Sequence, residues 1–232
     1  MLKKRYILIL TAISLLLAAG CSTKRNTFTR RAYHNLTSHF NVYWNGEYAL
    51  KEGAKTLSKT VKDDYSKVLR VYNYGTKNEA ATLNGQMDRA LEKTSICVQK
   101  HSMKFGGRER VRWIDDSYLV MAKAHFYKQD YIAARRTFDF VATEYSKNPI
   151  AHVANMWLAK TYIQTEQYPK AIATLESLQS KTEEMRKQPK ELSNDLDLVI
   201  ADYNIATGDY TTAARYIRNI LPVVKNRDMK TR

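Results

Sequence analysis

WIDDSYLVMAKAHFYKQDYIAARRTFDFV, residues 113–141, decides the fold. It reads as two amphipathic helices joined by a tight turn at Gln129-Asp130-Tyr131. Asp115 and Asp116 stand at the start of the first helix, where carboxylates meet free amide groups and the positive end of the helix dipole. Ala122 and Ala134 place small side chains where the two helices have to approach closely. Tyr118, Met121 and His125 fill the surrounding positions before the turn, and Phe138 does so after it.

The pattern recurs. A shift of 37 residues finds Asn155, Leu158-Ala159 and Tyr162, then Tyr168, Ala171 and Leu175. A further shift of 42 finds Ile200-Ala201, Asn204, Tyr210, Ala213 and Ile217. In all three copies the two alanines lie 12 residues apart. A generic helical bundle shares the apolar periodicity but not a small-residue register fixed across three helix pairs. The spacing is that of tetratricopeptide (TPR) repeats, although both shifts exceed the usual length of about 34. The predicted fold is therefore all-α: a TPR-like α-solenoid of antiparallel helix pairs. Its recognisable repeats cover about 113–149, 150–186 and 190–225, behind an N-terminal helical region at 29–112. Between the second and third repeats Ser180–Glu191 lengthens the spacing, which predicts longer helices there, with Pro189 at the first turn of the new one.

Residues 1–20 stand outside the fold. Lys3, Lys4 and Arg5 precede an apolar run, Tyr6 to Leu17, and Ala18-Ala19-Gly20 lead directly into Cys21. That is an export signal, and it resembles a bacterial lipoprotein signal in which Cys21 is lipidated and becomes the mature N-terminus. Ala18 stands where such signals usually carry Leu. Attached acyl chains anchor a protein to a membrane without a spanning helix, and no later stretch reaches the roughly 18 apolar residues a spanning helix needs. Ser22 and Thr23 carry no acidic retention signal, which points to the outer membrane, on its periplasmic side. No cofactor is called for beyond the covalent lipid on Cys21.

Loss of the leader lowers the formal charge from +15 to +12. Part of the excess lies in a tether at 21–28, and Lys24, Arg25, Arg30 and Arg31 lie within reach of anionic head groups, at about 1 kcal/mol each near the surface. Export makes nucleic acid a poor partner. From Thr29 to Lys59 the sequence predicts a helical pair turning near Asn45-Gly46, with Tyr33, Leu36, Phe40 and Tyr43 along one face of its first helix. Residues 60–77 are the least regular, with Asp63-Asp64 placed to cap a short helix and Val71 to Gly75 extended before a turn. Asn78 to His101 reads as one long helix, and Lys104 to Arg112 as a basic loop turning at Gly106-Gly107. No capping helix follows Leu221, and the tail at 226–232 is polar. A solenoid needs such a cap, so the chain is expected to be a fragment of a longer protein or to dock on another.

Chemistry is hard to find. With Cys21 assigned to lipid, Cys97 is left alone on an apolar stretch, a core position rather than half of a disulfide. The histidines at 34, 39, 101, 125 and 152 form no metal-ligand spacing, and no nucleophile with a paired base is evident. The pattern predicts a protein without enzymatic activity and without a small-molecule substrate. Partners are expected in the groove lined by the first helices of successive pairs. Lys123, Lys160 and Gln164 are the candidate groove residues, suited to an acidic or mixed protein surface.

Two stretches carry a more specific likeness: YHNLTSHFN at 33–41 and WIDDSY at 113–118. With the lipidated cysteine and basic tether, they make the chain resemble the TPR-containing outer-membrane lipoproteins of gliding motility and type IX secretion in Bacteroidetes (the SprE/PorW type), over nearly all of the mature chain. The resemblance implies a scaffold linking parts of a secretion machine in the envelope, in proteins considerably longer than this one. The alternative is an assembly or chaperone-like TPR lipoprotein that holds client segments of outer-membrane proteins.

Overall fold

The computed structural model describes Tyr6, residues 22–183, Met185 and residues 189–222. The leader at 1–20 (Tyr6 apart), Cys21 and the tail at 226–232 lie outside the described residues. The chain is an all-α, TPR-like solenoid. Three successive pairs run α5 (Trp113–Tyr127) with α6 (Tyr131–Glu144), α7 (Ile150–Gln164) with α8 (Tyr168–Glu183), and α9 (Lys190–Thr207) with α10 (Tyr210–Ile220), preceded by α1 to α4. The third pair opens on the longest helix of the six, 18 residues against 15 in α5, which absorbs the longer spacing.

The small-residue register is where the helices meet. Ala122, Ala134, Ala159, Ala171, Ala201 and Ala213 are all buried. Around them Phe126, Phe138, Met156, Ile163, Leu175 and Leu178 are almost wholly withdrawn from water. Each such side chain contributes about 1.5–3 kcal/mol of transfer free energy, so the stack is held by interlocked apolar faces more than by any polar pair.

The turns inside the pairs repeat as well. Gln129 and Glu166 have φ of 57°, and Gly208 has φ of 84°. Each lies seven residues after the first alanine of its repeat. The following amide reaches back in each case: Asp130 N–H to His125 O at 3.0 Å, Gln167 to Tyr162 at 2.9 Å, and Asp209 to Asn204 at 2.9 Å. A left-handed residue thus closes each first helix by satisfying its last carbonyls. Asp130 and Asp209 then cap the next helix, accepting from Ala133 N–H at 3.2 Å and Thr212 N–H at 3.0 Å.

The N-terminal region differs from the sequence expectation. No turn occurs at Asn45-Gly46. α1 (Phe28–Thr37) passes through a π-helical segment, Ser38–Tyr43, straight into α2 (Trp44–Thr60). Gly46 serves close packing instead: a Cβ there would stand 3.0 Å from Thr94 Cγ2 and 3.4 Å from the Ala90 carbonyl on α4. The face expected to be buried is also corrected. Leu36 and Phe40 are exposed, whereas His34, Ser38 and Val42 point inward with Tyr43, because the i→i+5 bonding of a π segment moves the register round the helix.

The expected helix from Asn78 is divided. α3 (Lys77–Ala81) carries a Thr76/Glu79 capping box, and α4 runs Asn84–His101 against α2 and α5. Leu83, Met87, Thr94 and Cys97 on this run are buried. Asp64 caps no helix; it accepts from the Ser66 amide at 3.1 Å and hydroxyl at 2.6 Å in a local turn. The basic loop is a small hairpin, β1 (Lys104–Phe105) paired with β2 (Arg108–Glu109), whose Gly106 and Gly107 at φ 58° and 71° supply the left-handed turn.

Candidate partner-binding groove

The first helices of the three pairs, α5, α7 and α9, share one side of the stack, and a segment of the chain itself already crosses them. Residues 61–76 leave α2 and run to α3 without helix or strand, through a turn at Tyr65-Ser66 and a bend at Val71-Tyr72. At α9 the Arg70 guanidinium meets the carboxylate of Asp202 in a two-pronged pair, Nε to Oδ1 at 3.0 Å and Nη2 to Oδ2 at 2.7 Å. The Val71 amide donates to the same carboxylate at 2.9 Å. Asp202 is 2% exposed, and a polar group buried to that extent has to be hydrogen-bonded. Val71 then packs on Leu198 and Ala201 of α9 and Ile220 of α10.

At α7 the segment covers Lys160. Its Nζ lies 3.9 Å from the centre of the Tyr72 ring and 4.5 Å from that of Trp157, with Asp195 Oδ2 at 3.5 Å. An ammonium between two ring faces is held by their quadrupoles, most effectively when desolvated. At α5 the ring of Tyr74 stands edge-on to Phe126, with centroids 4.7 Å apart, and near Tyr127 at 6.0 Å. Gln129, the left-handed residue after α5, donates from Nε2 to the Tyr74 carbonyl at 3.3 Å and to that of Gly75 at 3.0 Å. Burial pushes the Tyr74 phenol well above its ordinary range, so it stays neutral.

The three predicted groove residues therefore have different surroundings. Lys160 is not exposed as expected; at 3% exposure it lies beneath Tyr72. Lys123 is half-buried, with its ammonium 5.0 Å over Trp157. Gln164 is half-buried at the end of α7. Lys123 and Lys160 converge on Trp157. Sequence reasoning missed Arg70, Tyr72 and Tyr74 as groove occupants. Periodicity gave no signal for them, since the chain there is irregular and bends at Val71 and Tyr72.

A second concavity, of about 940 Å³, opens at the other end of α5 between the hairpin and the α6–α7 turn; Arg108, Arg112, Asp115, Asp116, Tyr145 and Asn148 are among its lining. Burial together with Asp115 and Glu47 raises the Asp116 carboxyl to about 7. Among the described residues no group of three His, Cys, Asp or Glu is placed to hold a metal ion. Cys97 is buried, and burial pushes its thiol up to about 11. That leaves it a core residue.

The two distinctive sequence stretches meet in space. His39 stacks on Trp113, with centroids 3.9 Å apart and planes 24° from parallel. Asn35 Oδ1 accepts from the Arg112 amide at 2.9 Å, and its Nδ2 donates to the Arg110 carbonyl at 3.2 Å. Residues 33–41 thus pack against the entry to the first repeat as one unit.

Residues 65–219 match the family model described as Tetratricopeptide repeat-like domain, and the match includes the crossing segment from Tyr65 onward. No curated protein matches the chain.

Proposed function

The chain belongs to the tetratricopeptide repeat-like domain family, and from that premise we propose that it is a lipid-anchored scaffold of the cell envelope, without enzymatic activity, that holds components of a type IX secretion or gliding machine. TPR-like repeats of this kind are scaffolds for protein–protein interaction. One observation carries the binding mode. The first helices of three successive pairs and the turn after the first grip an irregular segment of the chain itself through a buried carboxylate, a lysine between aromatic rings and a glutamine that reads backbone carbonyls. Non-helical protein segments are the ligand class such a surface suits.

The envelope assignment is supported by the leader and by Ala18-Ala19-Gly20-Cys21. The secretion assignment is supported by the likeness of residues 33–41 and 113–118 to that group of lipoproteins, and these residues form one packed unit. A second reading, an assembly or chaperone-like module holding client segments of outer-membrane proteins, is favoured by the same grip on a non-helical segment; fold alone does not choose between them.

The test is an in-cell crosslink and pull-down of the full-length protein, compared with Lys123→Glu, together with fatty-acid labelling of Cys21→Ser. Recovery of secretion components, reduced by the charge reversal, is the expected result. Recovery of only nascent barrels and assembly factors transfers the case to the second reading. Equal fatty-acid incorporation in Cys21→Ser rules out the anchor.

A further inference from the structure

The outward face of the N-terminal helix carries an uninterrupted apolar stripe. Phe28, Ala32, Leu36, Phe40, Trp44 and Tyr48 recur at every fourth residue, and each of them is exposed. Phe28 is 75% exposed, Phe40 61% and Trp44 51%. An ordinary α-helix carries an i, i+4 series slowly round its axis. Here the π segment Ser38–Tyr43 lies in the middle of the series, and its wider turn keeps all six residues on the outside. The opposite face is committed to the fold through Gly46, Ala49 and Gly53, which are buried toward α4. From Phe28 to Tyr48 the stripe is about 30 Å long at 1.5 Å per residue. Exposed apolar surface of that extent marks an interaction site.

Charge selects the occupant. No acidic residue occurs before Glu47 in the whole sequence, while Lys24, Arg25, Arg30 and Arg31 precede or open the helix. Glu47 and Glu52 are each paired with a lysine one turn on, Lys51 at 2.8 Å and Lys55 at 3.9 Å. The stripe is therefore rich in Trp, Tyr, Phe and Leu, is basic at its N-terminal end and is neutral at its other end. A helix with that composition lies in the plane of a membrane interface, its rings at head-group depth and its cations on anionic lipid. Phe28 also lies only seven residues after Cys21, a span of at most about 25 Å of extended chain.

We infer that residues 28–48 form an interfacial helix that lies on an anionic lipid surface, fixing the orientation of the solenoid relative to the membrane. This rests on the membrane anchoring of the proposed function for the surface nearest the helix. Acyl chains on Cys21 would hold the protein at the membrane but leave a tethered domain free to tumble; the stripe would remove that freedom.

Full-length protein is reconstituted into phosphatidylglycerol/phosphatidylcholine vesicles with brominated acyl chains. The fluorescence of Trp44 is isolated by subtracting the signal of Trp44→Phe. Trp44 emission is expected to shift to the blue and to be quenched, and both effects are expected to be lost in Leu36→Glu/Phe40→Glu. Those side chains are exposed, so the variant's helical circular dichroism should match the wild type. Unquenched Trp44 in vesicle-bound protein overturns the inference. So does a concentration-dependent dimer abolished by the same pair of substitutions, which assigns the stripe to a second copy. The anchor is read separately: acylated Cys21 with unquenched Trp44 sinks this inference alone, and quenched Trp44 without acylation sinks the anchor alone.

Discussion

The stack of residues 113–220 and the long helix of residues 28–60 are made of similar amphipathic material and dispose of it in opposite ways. In the stack most large apolar residues point inward around six buried alanines, with Ile132, Phe140 and Tyr210 exposed. In the long helix Gly46, Ala49 and Gly53 point inward with Val42, Tyr43, Leu50 and Leu57, but a second set of large residues, Leu36, Phe40, Trp44 and Tyr48, points outward. Both regions follow one physical rule, that helices approach closely where side chains are small. They differ in what remains for the outer face. The first two pairs have a neighbour on either side to cover their apolar surface, whereas the long helix packs on α4 and α5 and, among the described residues, leaves its other side open.

The largest expected effect tests that contrast directly. Ala159 is fully buried in the middle of the stack, and Ala159→Trp forces its neighbours apart at a cost at or beyond about 3 kcal/mol. Trp44→Ala, on the open stripe, changes stability by no more than about 0.5 kcal/mol in the absence of lipid. Urea unfolding of the full-length protein measures both. An unchanged midpoint in Ala159→Trp would show the register to be wrong, and a large loss in Trp44→Ala would show the stripe to be covered by protein.

The same contrast explains what the sequence revealed. The stack was legible because its signal is redundant: two alanines 12 residues apart, three times over, fix the facing surfaces without any knowledge of the third dimension. Residues 29–59 present a single copy, so periodicity alone predicts the apolar face as the buried one and a turn at Gly46, and the structure has neither. Nothing local announces a π segment, and its shift of register depends on packing against α4. Of the groove, the helices and Lys123, Lys160 and Gln164 were readable as positions. The burial of Lys160 was not, because the side chain that covers it, Tyr72, is 88 residues away in an irregular segment. The pairing of Arg70 with Asp202 spans 132 residues and is equally invisible to periodicity.

Acid should distinguish the two regions next. His34 of α1 and His101 of α4 face each other with their Nδ1 atoms 3.0 Å apart. Burial lowers both, His101 to about 4 with help from His34 and Lys100. A depressed histidine binds its proton more readily in the unfolded chain, so this contact contributes full stability above pH 6.5 and loses it as pH falls toward about 4. Asp116 acts oppositely: its raised carboxyl makes the fold more stable as pH falls from about 7 toward 3.8. His101→Gln removes only the first of these. Its thermal midpoint should decline less than that of the wild type between pH 6.5 and 4.5. Hydrogen exchange in the wild type should accelerate first in α1 and the end of α4, while α8, which carries no histidine, stays protected. Parallel pH curves for the two proteins would remove the histidine contact from the account.

The smallest effect lies in the turns that make the stack regular. Gln129, Glu166 and Gly208 occupy one left-handed position in three repeats, yet only the third is the residue that pays no steric cost there. A side chain at such a φ costs about 1–2 kcal/mol, part of which glycine gives back through the entropy of the unfolded chain. Glu166→Gly is therefore expected to stabilise the protein by about 0.5–1 kcal/mol, and Gly208→Ala to destabilise it by about 1 kcal/mol. Gln129 has a second duty, because its amide donates to the Tyr74 and Gly75 carbonyls of the segment crossing the groove. Gln129→Gly obtains the same backbone relief but gives up two hydrogen bonds, each worth about 0.5–1.5 kcal/mol, and should come out neutral or destabilised. Urea unfolding of the three variants side by side gives the comparison. If Gln129→Gly gained as much as Glu166→Gly, the grip of the first repeat on the crossing segment would be energetically idle, and the hold on that segment would rest on Asp202 and the aromatic sandwich around Lys160.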